Sequence, residues 1–204
     1  MSFNADGYFD IDESLRIIGM ETDCADLLMG IIDPSGNMIV GEGRLMYHGT
    51  DSATGDNTPP QINVLGYFFD GCPPQGKDKQ HYSSVTIIKH TDFSTPSLFR
   101  LLNENSSELE VKLTRYHAGG DSKRIGNTQP SLEILMQGAN VRAISTLSSC
   151  HNAIPYDIVS FSFRQLKMIT RPQLKDGRMG PAHICTLIPQ QQAANRKNGR
   201  REMP

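Results

Sequence analysis

The 204-residue chain has no tryptophan, only four cysteines, and no apolar run near the roughly 20 residues that a membrane-crossing helix requires. Insertion into a membrane is therefore not expected. Basic residues do not alternate with aromatics as they do in a platform that stacks bases. With 20 basic and 22 acidic side chains the net charge is −2, which gives no general attraction for a phosphate backbone. Nucleic acid is excluded as an expected partner. Cys24, Cys72, Cys150 and Cys185 are scattered and form no Cys-x-x-Cys pair. The opening "MSFNADGYFDIDE" lacks a basic segment followed by an apolar one, so no Sec leader is expected and the thiols are expected to be reduced.

Catalytic patterns are missing as well. His48, His81, His90, His117, His151 and His183 show no metalloprotease spacing. Cys150 and His151 are neighbours without a third, orienting group. His183 and Cys185 would share one face of a strand, but two ligands fall short of a metal site. Gly41-Glu42-Gly43 lacks the third glycine of a phosphate-cradling loop, and its place within an apolar run suggests a bulge or bend. No Gly-x-Ser-x-Gly elbow occurs. The expectation is no catalytic residue, no metal and no cofactor, and hence a structural or binding role.

What the chain does have is strand after strand. In "LEVKLTR" (109–115) Leu109, Val111 and Leu113 alternate with Glu110, Lys112 and Thr114, the pattern of a half-buried strand. "SLEILMQ" (131–137) sets Leu132, Ile134 and Met136 against Glu133 and Gln137. "YDIVSFSFRQLKM" (156–168) sets Val159, Phe161 and Phe163 against Ser160, Ser162 and Arg164. Further strand runs are read at 14–20, 27–33, 37–47, 62–69, 83–90, 140–147 and 182–188. Asp33-Pro34-Ser35-Gly36 presets a tight turn, so 27–47 reads as a hairpin. Long polar stretches at 49–61, 71–80 and 117–130 read as loops.

One helix interrupts this pattern. In "TPSLFRLLNEN", Thr95 is placed to cap, Pro96 suits the first helical position, and Leu98, Leu101 and Leu102 form one apolar stripe. Asn103 and Asn105 mark its end. A helix of about ten residues is marginal in water, so packing must hold it, with the leucines as a plug at the end or flank of a barrel. The expected fold is mainly β: an antiparallel split β-barrel with one short α-helix at about residues 95–104. Residues 1–189 form its single domain. The last fifteen residues carry Arg196, Lys197, Arg200 and Arg201 against Glu202 alone, so this tail holds +3 and the body −5. Residues 190–204 read as a basic, disordered extension.

The order of these pieces resembles the Hcp family, the tube protein of bacterial type VI secretion systems. "VTIIKHTDFSTPSLFRLLNEN" has that family's strand ending in lysine, followed by Asp-x-Ser-Thr-Pro and a short helix, carried here by Lys89, Asp92, Ser94, Thr95, Pro96 and Leu98. Arg115 and Tyr116 close the next strand as the family does. Asn140-Val141 and the run Val159 to Leu166 match later strands, and 171–188 resembles the family's glycine turn and last strand. The N-terminal third lacks the family's opening pattern, and Met168 stands near where many members carry tryptophan.

The resemblance implies a non-enzymatic subunit. Six copies would close into a homohexameric ring, rings would stack into a tube inside a contractile sheath, and the tube would be expelled. Implied partners are further copies of the chain, the sheath, spike and baseplate proteins, and effector proteins held in the lumen. The implied route is from the bacterial cytoplasm outward without a Sec leader. A long loop near the first hairpin reaches the next ring in that family. Its counterpart here is Met46 to Gln61, with Tyr47, His48, Asp51, Asp56 and Gln61 as stacking residues. The competing expectation is a tube-like cargo adaptor or secreted effector that binds a partner through the C-terminal tail or the 117–130 loop.

Overall fold

The computed structural model describes residues 27–43, 61–70, 84–116, 129–148, 155–175 and 179–188. The strand run expected at 14–20 lies outside these residues. Nine strands and one helix are present among them: β1 Leu27–Ile32, β2 Ile62–Asn63, β3 Gly66–Asp70, β4 Ser84–His90, α1 Ser94–Asn103, β5 Leu109–Arg115, β6 Leu132–Leu147, β7 Tyr156–Ser162, β8 Gln165–Thr170 and β9 His183–Leu187. All named pairings are antiparallel. The mainly β class with a short helix is what the alternating pattern predicts.

The sheet follows the order β2-β1-β5-β6-β7-β4-β3, with β8 on β6 and β9 on β8. It does not close on itself as a ladder. Its two ends, β2 and β3, are instead consecutive pieces of one chain segment, of which the first lies on β1 and the second on β4. Between them the Val64 N–H donates to the Leu27 carbonyl (2.9 Å) and the Leu65 N–H to the Ile88 carbonyl (2.8 Å). Neighbouring residues thus bond to opposite halves, which gives a split barrel.

β6 makes the second crossing. The sequence reads as two strands, 131–137 and 140–147, but the structure has one strand of 16 residues that belongs to both halves. Its first part lies between β5 and β8, and its second part pairs with β7. The bend sits at Gly138, whose φ of +57° is in the left-handed region, and the pairing registers slip on either side of it. Such irregularities let a strand leave one sheet and join another. A Cβ on Gly138 would stand 3.0 Å from the Arg164 side-chain stem. On the partner side the single run 156–168 divides into β7 and β8 at Phe163-Arg164 for the same bend.

The expected second strand of the first hairpin, 37–47, is corrected over its described part, 37–43; residues 44–47 lie outside the described residues. The turn forms as predicted: Gly36 N–H donates to the Asp33 carbonyl, and the Asp33 carboxylate accepts from the backbone of Ser35 and Asn37, each at 2.9 Å. Beyond it, among the described residues, the returning chain makes only an isolated bridge to β1, from Met38 to Ile32. The reason is competition for one edge, because β2 occupies β1 from Met29 back to Leu28. The returning chain is pressed against β2 instead. A Cβ on Gly41 would lie 2.5 Å from the Gln61 carbonyl oxygen, so only glycine passes there.

The interior is filled from every strand of the barrel. Met29, Val85, Leu109, Ile134, Val159 and Phe161 are among its fully buried members. α1 adds Leu98 and Leu101, with Leu102 half-buried against the same cluster. Fully burying one such aliphatic side chain is worth about 1.5–3 kcal/mol. Two leucines therefore suffice to hold a ten-residue helix that would be marginal alone. Its end is closed as the asparagines suggest. Asn105 adopts a left-handed φ of 46°, while the N–H groups of Asn105 and Ser106 bond the carbonyls of Leu102 and Leu101.

Gly138→Ala is expected to lower stability by about 1–2 kcal/mol, the penalty for placing a side chain in left-handed backbone. Urea unfolding at equilibrium checks this, and a variant as stable as the parent would show that the corner does not need glycine.

Candidate functional site

The start of α1 is built around a buried charge. Lys89, last but one in β4, shares the inward parity of Val85 and Ile87, and its side chain is 0% exposed. Its ammonium reaches Asp157 Oδ2 (3.1 Å), Asp92 Oδ1 (2.8 Å), Thr95 Oγ1 (3.0 Å) and the His90 carbonyl (2.7 Å). Asp157, on β7, is equally buried. Its Oδ2 also accepts from Thr95 Oγ1 (2.5 Å), and its Oδ1 accepts from Thr91 Oγ1 (3.0 Å) and Thr146 Oγ1 (2.8 Å). A buried charge is tolerated when it is paired and its remaining hydrogen-bonding capacity is filled, and both conditions hold here.

This arrangement changes the reading of the helix start. The helix begins one residue earlier than expected, at Ser94, and Phe93 in the capping position makes no side-chain cap bond. Thr95 is not the cap. Its hydroxyl accepts from the Asp92 N–H (3.1 Å) and from Lys89, and donates to Asp157, which uses its one proton and both lone pairs. The ammonium competes successfully for that oxygen. Asp92 Oδ1, besides meeting Lys89, accepts from the Ser94 N–H at 2.9 Å at the start of the helix. Pro96 follows Thr95 on the exposed side, while Leu98 and Leu101 point inward.

Burial alone would raise the Asp157 pKa, but hydrogen bonds from Thr95, Thr146 and Lys89, with the Lys89 charge, outweigh it and hold the group below its ordinary 3.8. A depressed carboxylate pKa stabilises the fold above the unfolded value, and that stabilisation is lost as pH falls through the native one. On the outer surface Glu133 joins Lys112 (2.9 Å) and Arg171 (2.8 Å). Burial raises its pKa, and these two cations more than reverse the effect. That trio ties β5, β6 and the end of β8 together.

Two margins of the molecule have a different character. β8 and β9 continue the sheet beyond β6 as a flange, and all five residues of β9 are exposed. Ile184 is 59% exposed, Leu187 37% and the following Ile188 69%. Ile184 and Leu187 lie on opposite faces, so both sides of the flange are apolar. The other margin is the end of β6. Beyond Ala139 it pairs with β7 on one side, and no described strand pairs with its other side. Ala143, Ser145 and Leu147 there are exposed.

Of the residues expected to stack rings, Tyr47, His48, Asp51 and Asp56 lie outside the described residues. Gln61 is described. It exchanges two backbone hydrogen bonds with Gly43, 2.6 and 3.0 Å, so the chain leaves and re-enters at one pinned point. Residues 117–128 of the 117–130 loop, the basic tail, Cys24, Cys72 and Cys150 also lie outside. Cys185 and His183 sit exposed on β9, and no group of three or more metal-ligating side chains occurs among the described residues. No helix among them is long and apolar enough to cross a membrane. The Lys89–Asp157 pair was not singled out as a site from the sequence. Its signal was available: each residue occupies an inward position in a strand whose other inward positions are apolar.

Asp157→Asn removes a full charge from a buried pair and is expected to destabilise the fold by roughly 3–5 kcal/mol, as measured by denaturant unfolding at neutral pH. The parent should lose stability steeply below about pH 4, and the variant less steeply, because one of the responsible carboxylates is gone. Equal slopes would remove Asp157 from that role.

Residues 71–169 match a family described as type VI secretion system effector, Hcp. No curated protein matches the chain in sequence. Among solved structures, Hcp1 from E. coli EAEC 042 is similar with a TM-score of 0.58 at 14% identity, over 82% of this chain and 100% of that one. Hcp3 from Pseudomonas aeruginosa is similar with a TM-score of 0.55 at 15% identity, over 82% of this chain and 100% of that one. Hcp1 from Salmonella typhimurium is similar with a TM-score of 0.53 at 17% identity, over 80% of this chain and 94% of that one. At such identities the structures speak for the fold, and the matched stretch 71–169 speaks for the family, since it contains the lysine strand, the helix and the long ribbon of β6 and β7. Over residues 71–169, just under half of the chain, the sequence matches the Hcp family of type VI secretion, and the fold is the one that the solved Hcp proteins share.

Proposed function

We propose that this chain is a tube subunit whose work is self-association: six copies close into a ring, and rings stack into the inner tube of a type VI secretion system. The observation that carries the proposal is the β8–β9 flange, an edge strand with apolar side chains exposed on both faces. An edge of this kind invites pairing with another chain, and isolated proteins normally blunt it with charge, proline or a covering element. Here the flange lies at one margin, and at another lies the side of β6 that no described strand pairs with. Two different edges that meet head to tail form a heterologous contact, which ends in a ring when the rotation closes.

The same reading places the Gly43–Gln61 neck at the root of the stacking contact, with Tyr47, His48, Asp51 and Asp56 reaching the adjacent ring. Many weak contacts repeated along a tube allow tight assembly and later release. The sheath, spike and baseplate proteins, effectors held in the lumen, and exit without a Sec leader belong to this proposal through the family. The same holds for residues 1–189 as one folding unit.

Ile184→Glu tests the proposal. The side chain is mostly exposed, so thermal unfolding of the monomer should move little. Rings seen for the parent by negative-stain microscopy and light scattering should be lost. A parent that stays monomeric at every concentration, or a variant that assembles as well as the parent, would overturn the reading.

A further inference from the structure

The ring reading needs the open side of β6 to be in place when the next copy arrives. Among the described residues β7 is the only strand that pairs with β6 from Asn140 to Leu147, and Asn140 Nδ2 also donates to Asn105 Oδ1 (3.0 Å), so the stretch beyond Asn140 is one half of a two-stranded ribbon, a form that is marginal in water unless something fastens it. Arg142, Ala143, Ser145, Thr146 and Leu147 are exposed, and only Val141 and Ile144 face the interior to any extent. Core packing therefore holds the near part of the overhang and leaves its far end without an apolar anchor.

Thr146 sits in that far end. It lies directly opposite Asp157 in the β6–β7 register, and its hydroxyl donates to Asp157 Oδ1 at 2.8 Å. That carboxylate is itself held by Lys89 and Thr95, so this side-chain hydrogen bond connects an exposed strand end to a fully buried ion pair. We infer that Thr146 is a positioning residue for assembly: it fastens the overhanging end of β6 to the buried Lys89–Asp157 pair, so that the margin offered to a second copy is ordered before docking. Without the tie, the strand end must be ordered during association, and that entropy is taken from the contact energy.

This inference rests on the ring reading and has an internal control. Thr91 donates to the same Oδ1 at 3.0 Å, yet lies in the connection before α1 and not on β6. Thr91→Val and Thr146→Val each remove one hydroxyl donor from one oxygen, so both should lower the thermal midpoint of the monomer to a similar extent. Only Thr146→Val should raise the concentration at which half the chains are in rings, by about tenfold, the factor that corresponds to one hydrogen bond to a charged group. Thr146→Ser keeps the hydroxyl and should assemble like the parent. In the monomer, amide exchange over 142–147 should quicken in Thr146→Val alone. If rings form and the two valine variants assemble alike, the inference fails while the ring reading stands. If the parent forms no rings, both fall.

Discussion

A lysine ammonium with no access to water is the constraint around which this molecule is arranged. Lys89 has to find its partners inside the protein, and they come from two places: Asp157 from β7, Asp92 and Thr95 from the start of α1. Satisfying one cation therefore fixes where the chain leaves β4, where the helix begins and how β7 enters the sheet. An apolar cluster could hold these elements together with similar strength, but apolar contacts are not directional. A hydroxyl with one proton and two lone pairs, all used, accepts a single arrangement.

Around that point the fold uses two strands to serve two sheets. β6 crosses by bending at Gly138, and the segment from β2 to β3 crosses by changing hydrogen-bond partner between Val64 and Leu65. The barrel is therefore joined at its corners by covalent chain where a ladder would otherwise have to close. The same economy leaves sheet to spare. β9 continues past the core, and the end of β6 continues past β5.

The surplus is where the family assignment and the physics meet. A protein meant to stay alone gains nothing from an edge strand with Ile184 on one face and Leu187 on the other. For a tube subunit the same features are half of a contact. In the proposed ring the buried ion network and the exposed margins belong to one design, because Asp157 on β7 joins Lys89 to Thr146 on the strand that a neighbour would meet.

Much of this was legible in the residues. Period-two alternation in 109–115, 131–137 and 156–168 assigned faces that the structure keeps, since a strand has only two faces and a core accepts only one kind. The turn at Asp33–Gly36, the helix and its asparagine end were written locally, because turn and cap chemistry depends on residues a few places apart. What tertiary structure alone decided involves distant partners. Whether 37–43 pairs as a strand depended on β2 taking the same edge of β1. Whether 131–147 is one strand or two depended on Gly138 finding room beside Arg164. Thr95 looked like a cap from its neighbours and became a partner of Asp157, a residue 62 positions away. The exposure of β9 depended on how many strands the barrel needs before its core is covered, and no short stretch of sequence carries that count.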